Sequence, residues 1–83
     1  MTSNQHATEV VAAEVRAAMA RQRVSGSKLA GRLGIAQQSL SARLIGRVAI
    51  TIDDLADIAE ALDVELSSLV APLDSLRKSA TSA

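Results

Sequence analysis

Apolar residues recur at helical spacing along the chain and nowhere alternate with polar ones over a strand's length, so helices are the elements able to bury them. Alanine-rich stretches point the same way, since alanine has the highest helix propensity. A first helix from about Thr8 to Gln22 puts Val11, Val15, Ala18 and Gln22 on one face, with Met19 beside them. Ser25 has the chemistry of an N-cap for the next segment, Gly26 to Leu33, whose Leu29, Ala30 and Leu33 face inward. Gly34 ends that segment, because glycine takes the left-handed conformation that terminates helices without a steric penalty. A third helix from Gln37 to Ile45 carries Ala36, Leu40 and Leu44 along its inner side. Gln38, Ser41, Ala42 and Ile45 lie opposite, flanked by Ser39.

Gly46 closes the third helix, and Arg47 to Ile50 connect it to a fourth. Thr51 caps that helix with Asp54 three residues on, in capping-box register. Its inward stripe is Ile52, Leu55, Ile58, Ala59 and Leu62, while Asp53, Asp57 and Glu60 take the solvent side. A short fifth helix from Glu65 to Val70, with Leu66 and Leu69 completing the core, stops before Pro72. The expected organisation is all-α: a flexible tail over 1–7, one domain over 8–71 and a C-terminal tail over 72–83.

Charge restricts function more than its total implies. The formal net charge is zero, yet Arg16, Arg21, Arg23, Lys28, Arg32, Arg43 and Arg47 follow one another without an acidic residue between them. From Asp53 to Asp74 the chain is acidic without a basic residue. Such asymmetry either marks a surface that faces a polyanion or lets the two halves pair with each other, and the unbroken run favours the first. Phe, Tyr and Trp are absent, which removes the rings on which single-strand and RNA binders stack bases, so duplex DNA is the expected partner.

The absence of cysteine and the single histidine, His6, leave nothing from which to build a thiolate or imidazole metal site. Asp53, Asp54 and Asp57 lack the spacing of a calcium loop. No enzymatic activity, cofactor or small-molecule ligand is expected. Without a membrane span or a signal peptide, the chain reads as a protein of the bacterial cytosol or nucleoid.

Two short helices joined by about three residues around Gly34 make a helix-turn-helix, whose second helix enters the major groove. The run Leu29-Ala30-Gly31-Arg32-Leu33-Gly34-Ile35-Ala36-Gln37-Gln38-Ser39-Leu40-Ser41 resembles the signature of phage repressors and Cro proteins, the XRE-like family. The likeness continues through Gly46-Arg47 and Leu55…Ile58-Ala59-Glu60-Ala61-Leu62, and covers about Val11 to Val70. It implies a compact five-helix, lambda-repressor-like domain with Gln37, Gln38 and Ser41 reading base edges. Glutamine fits that role because its amide bonds adenine N6 and N7 together.

Ser39, Lys28, Arg43 and Arg47 suit phosphate contacts, as do the backbone N–H groups at the starts of the second and third helices. The sequence departs from the family at three places. Gly26 stands where a glutamine often touches the DNA backbone, and Ala36 where Ser or Thr usually caps the recognition helix. Ala42 replaces a polar reader, though its methyl could pack on a thymine methyl. Ile45, pointing outward, is either a base-methyl contact or an interface residue.

One recognition helix reads few base pairs, so proteins of this kind pair to reach two successive major grooves. Val48 and Ile50 in the loop, with Leu73 and Leu76 beyond Pro72, are the expected homodimer contacts. The function expected is that of a Cro-like or short phage repressor on an inverted-repeat operator. The alternatives are an antitoxin-type autorepressor, its acidic fourth-helix face turned to a toxin partner, and a helical protein-interaction module without a DNA role.

Overall fold

The computed structural model describes residues 2–74, with side chains from His6 onward. Five helices follow in order: α1 (Thr2–Gln22), α2 (Gly26–Leu33), α3 (Gln37–Leu44), α4 (Ile52–Leu62) and α5 (Leu66–Val70). α1 begins well before Thr8, because no Pro or Gly interrupts residues 2–22 and extending an existing helix costs little. Its partners are α3, α4 and α5; α2 packs against α3 and α4, and α4 against α5.

The core is aliphatic throughout. Leu29, Leu40, Ile58, Leu62, Leu69 and Val15 are its largest fully buried side chains, drawn from all five helices. Each contributes about 1.5–3 kcal/mol relative to exposure. Ala12, Ala18, Ala30 and Ala59 are buried between them, and no polar side chain is buried among the described residues.

Local chemistry sets the boundaries. The Ser25 hydroxyl accepts the Lys28 N–H at 3.1 Å, and Gly34 closes α2 at φ 70°. Thr51 and Asp54 form the complete capping box: the Asp54 N–H donates to the Thr51 hydroxyl and the Thr51 N–H to the Asp54 carboxylate, both at 3.0 Å. α3 ends at Leu44, with Ile45 as its C-cap and Gly46 at φ 84°, so the helix is one residue shorter than expected. Glu65 likewise caps α5 instead of opening it.

Five apolar assignments need correction. Ile52 is 72% exposed, because the first residue of α4 projects beyond the end of the core although its spacing to Leu55 matches the buried stripe. Ala36, at the cap of α3, is exposed for the same reason. Leu33 is only partly buried, and Leu66 is 39% exposed, leaving Leu69 as the residue of α5 that enters the core. Leu73, which the sequence leaves outside the core, packs against it half-buried, because helical backbone resumes at 72–74.

Candidate nucleic-acid interface

α3 presents two unlike sides. Leu40 and Leu44 are buried, at 1% and 8% exposure, and fix the helix on α1 and α2. Gln37, Gln38 and Ser41 are exposed. Together with half-buried Ala42, exposed Ile45 and Arg47 they line one open cleft of about 350 Å³. The three residues expected to read bases are thus brought together on one face, and Arg47 joins them from beyond Gly46.

The start of α2 lies against this face. A Cβ added to Gly26 would stand 4.0 Å from Nε2 of Gln37. The N-terminus of α3 has no side-chain cap, since Ala36 offers none, so the first N–H groups of the helix remain available to an acceptor such as a phosphate oxygen. Ser39 and Lys28 are exposed, and neither side chain has an ion-pair or hydrogen-bond partner among the described residues.

Arg43 is placed otherwise. Its Nε donates to Asp54 Oδ2 at 3.1 Å and its NH1 to the Ser39 carbonyl at 2.9 Å, so the guanidinium spans from α3 to the capping box of α4. Both side chains of the pair are about three-quarters covered. Partial burial pushes the Asp54 carboxyl up, but the Thr51 backbone N–H, Arg43 and the Thr51 hydroxyl together outweigh it and leave it below its ordinary 3.8. Arg43 therefore locks the recognition helix to its neighbour, and its charge is already matched.

Three further residues do work that spacing alone does not reveal. Arg16 NH1 donates to the Leu44 carbonyl at the end of α3. Gln22 Nε2 donates to the Leu62 carbonyl at 2.7 Å, and Arg32 NH1 to the Ala61 carbonyl at 3.0 Å, both at the end of α4. Helix C-termini carry unpaired carbonyls and partial negative charge, which donors from elsewhere satisfy. The available signal was only the surplus of arginine; the carbonyls it serves are distant in sequence. With Arg21 bonded to Glu14 at 3.1 Å, the basic run is mostly engaged within the fold.

Of the expected dimer contacts, Val48 is 44% exposed, whereas Ile50 and Leu73 lean on the core, and Leu76 lies outside the described residues. No helix of the described residues is long and apolar enough to cross a membrane.

Neither a curated protein nor a solved structure matches the chain. The family model described as helix-turn-helix matches residues 15–69, from the middle of α1 to the buried Leu69 of α5, and so spans the α2–α3 pair and the helices that hold it. The chain belongs to the helix-turn-helix family of XRE type, a family of DNA-binding transcriptional regulators.

Proposed function

We propose that the protein is a sequence-specific repressor of Cro type, as found in phages and prophages, that binds an inverted-repeat operator as a homodimer. The observation that carries this reading is the exposed row Gln37, Gln38 and Ser41 on a helix whose opposite side is anchored by Leu40 and Leu44. Long amides held on a fixed helix can form paired hydrogen bonds with adenine at little cost in ordering. Lys28, Ser39, Arg47 and the uncapped N–H groups of α3 are assigned to phosphates, which set position and register without reading sequence. Arg43 moves from phosphate clamp to positioning residue, because Asp54 already holds it.

Pairing is assigned to Val48 and its loop, with Ile50, Leu73 and Leu76 in support, so that two copies of α3 meet major grooves about 34 Å apart. Occupancy alone would block the polymerase, with no chemical step, and the protein would act in the bacterial cytoplasm or nucleoid.

The test is selection of bound duplexes from a random pool at about 150 mM salt, where non-specific binding is weak. An enriched inverted repeat with half-sites about one helical turn apart is the expected result. A folded protein that enriches no duplex would refute the reading.

A further inference from the structure

The cleft on the outer face of α3 is not uniformly polar. Gln37, Gln38, Ser41 and Arg47 line it together with the methyl of Ala42 and the side chain of Ile45, which is 61% exposed. Leaving a large aliphatic side chain in water beside four hydrogen-bonding groups forgoes the gain of burying it. Ile45 also differs from the other exposed large apolar residues among those described, Ile35, Val48, Ile52 and Leu66, in lining the cleft with the polar readers.

We infer that Ala42 and Ile45 form a seat for the 5-methyl group of a thymine in duplex DNA. This rests on the reading of α3 as a major-groove helix. The occupant follows from the chemistry of the groove, where the thymine methyl is the apolar feature among base edges that otherwise offer donors and acceptors. A lining that mixes amides, a hydroxyl and a guanidinium with two apolar side chains complements that mixture, and would be a poor seat for a wholly apolar partner surface, which would strand its polar groups.

Position along the helix fixes which base is read. Gln37 and Ile45 are eight residues apart, about 12 Å along a helix axis. Successive base pairs stand only about 3.4 Å apart along the duplex. The methyl seat therefore meets a base pair other than the one that bonds Gln37, and extends the read sequence beyond the reach of the amides. Ala42 belongs to this seat as a specificity-determining residue: its small side chain leaves room in the cleft, where a longer polar reader would fill it.

The experiment replaces each thymine, one at a time, by deoxyuridine in the duplex enriched from the random pool. The change deletes the methyl and leaves the Watson–Crick edge intact. At one position per half-site the dissociation constant should rise about fourfold, the worth of one buried methyl, and about fifteenfold when both half-sites are changed. In Ile45→Ala that penalty should fall below twofold.

A deoxyuridine scan of the unaltered protein with no position above twofold would overturn the inference while leaving the DNA reading in place. So would a penalty that persists undiminished in Ile45→Ala, or an Ile45→Ala variant that sediments as monomer without DNA where the parent is a dimer. If no duplex is enriched at all, the DNA reading fails and this inference fails with it.

Discussion

Replacing Asp54 by alanine should reveal how the recognition helix is held. The carboxylate completes the Thr51 capping box and pairs with Arg43, so one truncation removes both. The Thr51 hydroxyl would still accept the backbone N–H of residue 54, but loss of the hydrogen bond from the Thr51 N–H to the carboxylate costs about 1 kcal/mol. The ion pair, a little more than one-quarter exposed on each side, adds only about 0.5 kcal/mol after screening. The sum, about 1.5 kcal/mol, corresponds to a fall in Tm of about 6–12 °C for a domain of this size at pH 7.

The pH dependence has a definite sign. Folding lowers the Asp54 pKa below 3.8, so the contribution is fully present above that value and fades as the pH falls through the lower folded-state pKa. Helical circular dichroism, followed through thermal unfolding at pH 7, 5 and 2.5, is a sufficient assay. The gap between parent and Asp54→Ala should be equal at pH 7 and 5 and narrower at pH 2.5. Melting within 2 °C of the parent at pH 7, or a gap as wide at pH 2.5 as at pH 7, would refute the argument.

Leu40→Ala should cost about 2–5 kcal/mol, because Leu40 is 1% exposed beneath the reading face, and near-parental thermal stability would show that α3 faces the other way. Gln38→Ala should reduce affinity for the selected operator by at least about 30-fold with little change on random DNA, the loss expected of one bidentate base contact in each half-site and readable by fluorescence anisotropy. Arg47→Ala should weaken binding to both DNAs alike and lower the slope of log K against log salt by about two, one phosphate contact from each protomer, whereas Arg43→Ala should destabilise the fold and leave the slope unchanged. Equal slopes for the two arginine variants would contradict the division of roles between them.

What the sequence made legible is whatever depends on neighbours in the chain. Ser25, Gly34, Thr51 with Asp54, and Gly46 act over a few residues, so their types alone located both ends of α2, the end of α3 and the start of α4 to within a residue. The outward placing of Gln38 and Ser41 followed from their spacing against Leu40 and Leu44, whereas Gln37 is exposed because it opens the helix. Periodicity, however, assigns a side and not a depth. Ile52 and Leu66 have the right phase for burial but sit at helix starts, past the reach of the core.

The arginines were less legible for a different reason. A basic run reads as a surface for a polyanion, yet Arg16 and Arg32 reach carbonyls 28 and 29 residues away, and Arg43 reaches Asp54 across the loop after α3. Only the packed helices bring these partners together. The early start of α1 escaped prediction because a polar stretch without helix breakers carries no signal of its own.

The way α4 ends has a consequence for how the domain can be divided. Asp63 closes the helix in the left-handed region at φ 55°, where glycine is the easier choice, and places a negative charge at the negative pole. The exposed carbonyls of its last turn are held by Gln22 from α1 and Arg32 from α2. A peptide of α2 and α3 alone would lose both the α4 partner of Arg43 and much of the floor beneath Leu40. Reading head and frame are thus one foldon, and their slowest-exchanging amides should become labile to deuterium in a single event. The helix-turn-helix of this chain cannot be grafted as a cassette; whatever is transplanted must bring its frame along.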